Sequence, residues 1–268
     1  MDQSGFAHLA ELVRNRAGIA LPAEKSHATI RRLAPVARMF GFSDSASLLA
    51  ELAHPREELA QAVTEAVTVQ DTSFFRDPLI FQHVKTAILP ELIDARRQSR
   101  RIRIWSAGCA TGQEAYSLAM ILDELNLASG GWMIDLIATD LSGDAIARAK
   151  DGLYSSYEIQ RGLAPELVSR YFVEDRCGWR AIERLRRAIA FRTFNLLDHF
   201  GWLAGMDVIV CRNVFLYLAP EEKPGIVGKM ARILAADGCL VLGEAEGSAA
   251  KALPFMTPSG PRGVFTKQ

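Results

Sequence analysis

The sequence predicts an α/β protein: a doubly wound parallel sheet with a small all-helical N-terminal domain and a small β-subdomain insertion. Three observations carry this. From residue 101 onward, short apolar runs alternate with helical patterns, the order expected of βαβ units whose sheet is covered on both faces. Residues 6–66 show helical spacing and no strand alternation. Residues 171–194 follow neither pattern, and their short runs on either side of Cys177 and Gly178 suggest antiparallel strands.

In chain order, FAHLAELV, GFSDSASLLAEL and REELAQAVTEAV predict helices, the second opening after Ser43 or Asp44 as N-cap. Between them, residues 25–38 carry Lys25, Arg31, Arg32 and Arg38 and no acid. At 100° per residue these lie opposite Ile30, Leu33, Ala37 and Phe40. The stripe holds together only if Pro35 kinks the helix rather than ending it. A solvated face and a docking surface for an acidic partner both fit it. Further on, RIRIW, IDLIATD, MDVIVCRN and CLVLGE read as strands, and EAYSLAMILDEL, SGDAIARAK and EEKPGIVGKMARILA as the helices between them.

At 268 residues and 49% hydrophobic, the chain can bury a large core. Its zero net charge argues against bulk binding of nucleic acid or of an anionic membrane. Cys109, Cys177, Cys211 and Cys239 are far apart and the histidines have no ligand spacing, so no metal site is expected. Without a signal-peptide pattern or a membrane-length apolar run, the expected location is the cytoplasm.

The first strand runs into Ala107-Gly108-Cys109-Ala110-Thr111-Gly112, which is neither G-x-G-x-x-G nor G-K-[ST]. That argues against a P-loop and weakens a pyrophosphate site. Asp140 closes the second strand, where an acid can accept from both hydroxyls of a ribose. It lies 32 residues beyond Gly108 (140 − 108), against about 20 in the dinucleotide fingerprint. Glu114 opens the following helix and faces the same crevice, to meet a ligand ammonium or to complement the helix N-terminus. Asn195, Arg212 and Asn213 end other strands. Two acids without a phosphate clamp suit a nucleoside with a cationic tail, and S-adenosyl-L-methionine has that chemistry.

These residues lie within a longer resemblance. TVQDTSFFRDP, WSAGCATGQEAYSLAM, ATDLSGDAIARAKDGLY, EIQRGL, FNLLD and DVIVCRNVFLYL, in this order, resemble the CheR-type chemotaxis protein-glutamate O-methyltransferases over nearly the whole chain. The resemblance implies a methyltransferase sheet dependent on S-adenosyl-L-methionine, with S-adenosylhomocysteine as product. The substrates it implies are glutamate side chains on the cytoplasmic helices of a methyl-accepting chemotaxis receptor, docked through Lys25, Arg31, Arg32 and Arg38. It divides the chain into a helical domain (1–66), a linker reaching the cofactor (67–89) and a methyltransferase domain (90–268) with the β-subdomain at 171–194. It places Gln70, Thr72, Arg76, Gly108, Glu114, Asp140, Asn195, Leu196, Arg212 and Asn213 at the cofactor. Arg76 and Tyr217 become the active-site residues: Arg76 positions carboxylate or cofactor, unless it pairs with Asp77, and Tyr217 borders the methyl or orients the carboxylate, unless it is a core aromatic. Phe74 and Phe75 are expected to pack the linker, and Cys109 and Cys211 to be small buried side chains.

Two departures stand out. Gln70 replaces the family's usual asparagine, and Ala245 replaces the serine of a G-x-S-E motif. They keep open an inactive cofactor-binding regulatory module, and a methyltransferase of another signalling protein is a further alternative. The short insertion predicts weak or absent binding of a receptor's C-terminal pentapeptide.

Overall fold

The computed structural model describes residues 3–251 and 256–267. The helical domain comprises α1 (Gln3–Ala17), α2 (Ser26–Arg32), α3 (Ala34–Met39), α4 (Ser45–Glu51) and α5 (Glu57–Ala66). Leu9, Val13, Leu33, Leu48, Leu59 and Val63 form its core. Asp44 caps α4 by accepting from the Ser47 N–H at 2.8 Å, one of the two predicted starts. Pro35 does not break the basic segment. It sits in the first turn of α3, where no N–H is needed, and Leu33 between the helices stays right-handed (φ −79°, ψ −12°). Lys25, Arg31, Arg32 and Arg38 are all exposed, while Leu33 and Ala37 are buried.

The expected linker is shorter than residues 67–89. Pro78 opens α6 (Pro78–His83), which continues through a π-helical turn (Val84–Ile88) into α7 (Leu89–Ala95). Ile80, Phe81, Val84, Ile88, Leu89 and Leu92 recur at helical spacing and pack into the core beside the sheet. Only residues 67–77 are irregular.

Next come β1 (Arg101–Ala107), α8 (Gln113–Glu124), β2 (Met133–Asp140) and α9 (Gly143–Asp151). The insertion holds β3 (Leu153–Tyr154), α10 (Ser156–Gln160), α11 (Pro165–Tyr171), β4 (Phe172–Asp175) and β5 (Gly178–Ala181), followed by α12 (Glu183–Arg187). The chain returns to the main sheet with β6 (Ile189–Thr193) and β7 (Met206–Cys211), then α13 (Lys223–Ile233) and β8 (Leu234–Leu242). It ends with α14 (Ser248–Lys251), β9 (Met256–Pro258) and β10 (Val264–Lys267). The sheet order is β6-β2-β1-β7-β8-β10-β9, parallel from β6 to β8, with β10 antiparallel to β8 and to β9.

The alternation of the central strands explains their burial on both faces. Ile104 of β1 and Val208 and Val210 of β7 enter one core with Tyr116 and Leu118 of α8. Trp105, Ile209 and Cys211 enter the other with Val227 and Met230 of α13.

The predicted β-subdomain at 171–194 is corrected at both ends. Its antiparallel sheet has the order β3-β5-β4, turns after Asp175, and begins with β3 at Leu153. β6 is instead the parallel edge of the main sheet, in register Leu136↔Ile189 with β2. Burial of Ile189 and Phe191 seats it there, a period-2 signal masked by the preceding run of arginines.

Candidate active site

In this topology the chain moves from β1 outward to β2 and β6, then crosses to β7 on the far side of β1. The carboxyl ends of β1 and β7 therefore flank the point where winding reverses, the usual ligand crevice of such sheets. A cavity of about 480 Å³ lies there.

Backbone geometry shapes its floor. Gly108 (φ +73°) and Cys109 both donate N–H bonds to the Thr139 carbonyl of β2, at 2.7 and 2.9 Å. A Cβ at Gly108 would collide with Val214 Cγ2, so only glycine fits the turn. Asp140 is held by its own surroundings: Oδ2 accepts from the Ala110 N–H at 2.8 Å and Oδ1 from the Ser142 N–H at 3.0 Å. Burial raises its pKa, and these N–H bonds pull it back. A carboxylate has further lone pairs, so this rigid group can still accept from a ligand.

Glu114 is tied more tightly than a free crevice acid. Its Oε1 accepts from the Ser106 hydroxyl at 2.9 Å, and Oε2 lies 3.4 Å from Arg212 Nη1. Burial raises its pKa, opposed by the charge of Arg212. Arg212 also pairs with Asp77 through Nη2, lies 5.5 Å from the centre of the Phe81 ring, and keeps Nε buried without a protein partner. Because Arg212 takes Asp77, Arg76 does not pair with it. Arg76 Nη1 donates to the Asp71 carbonyl at 3.0 Å.

Thr72, Arg76, Gly108, Glu114, Asp140, Asn195, Leu196, Arg212, Asn213 and Tyr217 all line this one cavity. Gln70 does not. Its Nε2 turns back to Thr68 Oγ1 at 2.9 Å and its Oε1 is buried without a partner, so the longer side chain is spent within the linker. Asn195 lines the cavity with both side-chain groups engaged: Nδ2 donates to the Arg16 carbonyl at 2.6 Å, and Oδ1 accepts from the Leu197 N–H at 3.0 Å. Phe74 packs edge-on against Tyr154 and Phe172, with ring centres 5.0 and 5.5 Å away, and Phe75 packs on Phe81. Cys109 and Cys211 are buried, and desolvation pushes both thiols well above their ordinary pKa.

Several contacts at the site go beyond what the sequence signals. Residues 18–20, just after α1, form a short antiparallel bridge to the loop after β7: Ala20 N–H donates to the Tyr217 carbonyl at 2.8 Å, and Ala219 N–H to that of Gly18 at 2.7 Å. Lys25, Thr29 and Arg32 extend the lining from the helical domain, and Arg32 Nη1 also holds the Val67 carbonyl at 3.0 Å. Glu65 Oε2 accepts from the Gly143 N–H at 2.7 Å. Glu246 is buried below the loop after β7.

The residues present fit a nucleoside with a cationic tail. A rigid acid ends β2, the glycine turn leaves room for close backbone approach, and the cavity lies in the usual size range for small-molecule sites. Fold and site together define an S-adenosylmethionine-dependent methyltransferase. Comparison with known proteins agrees. Residues 70–259 match the family model "CheR methyltransferase, SAM binding domain", and residues 4–68 match "CheR methyltransferase, all-alpha domain". The chain belongs to the CheR methyltransferase family. It is 36% identical over 233 residues to chemotaxis protein methyltransferase 1 of Pseudomonas aeruginosa, covering 85% of each chain. It is 34% identical to chemotaxis protein methyltransferase Cher2 of Pseudomonas putida, covering 90% of this chain and 89% of that one. With the chemotaxis protein methyltransferase of Escherichia coli it shares 31% identity over 259 residues, 92% of this chain and 85% of that one.

Proposed function

We propose that the protein transfers methyl groups to glutamate side chains on the cytoplasmic helices of a chemoreceptor, forming methyl esters in chemotactic adaptation. The observation that carries this is the shared cavity. Acids that suit the nucleoside lie on the sheet side, Arg76 and Tyr217 on its wall, and Lys25 and Arg32 of the helical domain at its rim.

Glutamate has a pKa near 4.3, so the substrate is already a carboxylate at neutral pH and needs no strong base. Bound S-adenosylmethionine supplies a methyl group made electrophilic by the adjoining sulfonium. Asp140 holds the ribose, and the turn at Gly108 lets the backbone close on the methionine portion. Thr72, Leu196 and Asn213 complete the walls, while Asn195, its amide engaged, holds α1 against the sheet end. Arg212 pairs with Glu114 of α8 and with Asp77 of the linker, and so keeps linker and sheet together beside the cavity. Arg76, with no carboxylate bonded to it, is available to orient the incoming carboxylate through charge-assisted bonds. Tyr217 borders the transferred group. Alignment of this kind can supply roughly 7–11 kcal/mol of a barrier in favourable cases.

Both departures from the family pattern are compatible with activity, since Gln70 lies outside the cavity and Ala245 is exposed. Exposed Arg31 and Arg38 extend the basic face from the cavity rim and serve as the receptor-docking surface. The small insertion, with strands of two to four residues, supports independence from a receptor pentapeptide. The function is tested by incubating the enzyme with methyl-labelled cofactor and a chemoreceptor cytoplasmic fragment. Label released by mild base as methanol is expected. Label stable to base would point to another acceptor. A titration with the receptor's C-terminal pentapeptide is expected to show no saturable binding.

A further inference from the structure

The loop after β7, residues 213–217, carries Asn213 and Tyr217 and packs Val214 over the Gly108 turn, yet it is neither helix nor strand. Its shape has a cause outside the loop, which pairs the N–H groups of half-buried Asn213 and exposed Leu216. The cause is one side chain. Glu246, buried and outside the cavity lining, accepts from the Asn213 N–H at 2.8 Å and the Gly243 N–H at 2.8 Å through Oε2. Its Oε1 accepts from the Leu216 N–H at 3.1 Å. Three backbone donors from two segments thus converge on one carboxylate. Asn213 lies at φ +58°, a left-handed conformation that asparagine tolerates better than most residues and that its N–H bond to Glu246 holds in place. Gly243 is part of the same arrangement, since a Cβ there would collide with Glu246 Oε2.

We infer that Glu246 is a positioning residue for methyl transfer: it folds residues 213–217 around its carboxylate and so sets Asn213 and Tyr217 at the cavity wall. The inference rests on the reading of that wall as part of the transfer site. Among the described residues, no other single group accepts from both Asn213 and Leu216. Tyr217 follows directly, with its N–H on the Val214 carbonyl at 3.1 Å and its own carbonyl held by Ala20.

Glu246→Gln keeps the shape but turns one acceptor into a donor facing N–H donors. It is expected to lower kcat and weaken S-adenosylhomocysteine binding, each by at least about tenfold. Tyr217→Phe added to it should then cost less than it does in the wild type, because a misplaced hydroxyl has already lost its effect. Unchanged kcat, or a Tyr217→Phe effect as large as in the wild type, would overturn the inference. If the variant does not fold, hydrogen exchange of the wild type decides: slow exchange at Asn213 and Leu216 supports the anchor, and exchange at open-loop rates refutes it. A wild type that binds cofactor but transfers no methyl would instead sink the functional reading and leave the anchor to the exchange result.

Discussion

Arg212, at the end of β7, and Asp77, at the start of α6, form an ion pair that ties the linker to the sheet. The two ends differ. The Arg212 side chain is 1% exposed and that of Asp77 57% exposed. Removing the buried cation strands Glu114 as well, whereas removing Asp77 leaves Arg212 its weaker contact to Glu114. Arg212→Met is therefore expected to cost about 3 kcal/mol of stability. Asp77→Asn is expected to cost about 1 kcal/mol, because solvent screens that end. Urea unfolding of both variants measures the difference, and equal losses would contradict it.

Gly108 and Val214 couple the two loops that floor the proposed cofactor site. Gly108→Ala forces a Cβ into Val214 Cγ2 at a positive φ, and should weaken S-adenosylhomocysteine binding by more than about tenfold. Adding Val214→Ala removes the collision but not the φ strain, so calorimetry should show partial recovery. No recovery would mean that the strain alone decides.

The acids of the cavity set a pH dependence. Burial raises the pKa of both Glu114 and Asp140. Over the window between their unfolded and folded pKa values the folded state binds more protons. Their contribution to stability is therefore present below the ordinary carboxylate range and is lost as pH rises through the folded values. A cationic ligand relieves that loss. The rise in melting temperature caused by S-adenosylmethionine should accordingly be larger at about pH 7 than at about pH 5. Asp140→Ala should abolish most of the rise at both.

Docking separates from cofactor binding. Arg31→Glu with Arg38→Glu places acids on an exposed face outside the cavity lining. Receptor KM is expected to increase about tenfold or more, through lost charge complementarity, with cofactor affinity unchanged. If KM stays constant, these two arginines only solvate the helix.

Much of this was legible in the sequence because the central strands are buried on both faces. Their apolar residues, although interrupted by Arg103 in β1, Asp135 in β2 and Asp207 in β7, mark these strands, and the polar residues that end them, Asp140 and Arg212 with Asn213, mark the crevice. β6 was hidden because Arg192 and Thr193 face solvent at the sheet edge and a run of arginines precedes it. The length of the run from α6 to α7 was hidden by Pro78 and Pro90: Pro78 sits in the first turn of α6, and Pro90 follows directly on the π-helical turn. Glu246, although it closes the G-x-S-E motif, and the bridge at residues 18–20 act through backbone N–H groups, so the sequence does not show what they hold. For the same reason the pairing of Arg212 with Asp77, rather than Arg76 with Asp77, appears only in three dimensions.

Methyl transfer to receptor glutamates is tested most directly by a labelled-methyl assay with Tyr217→Phe and Arg76→Ala beside the wild type. Base-labile label on the receptor fragment is expected from the wild type, and at least about tenfold less from either variant despite retained cofactor binding. A wild type that binds S-adenosylmethionine yet leaves the receptor unlabelled would contradict it.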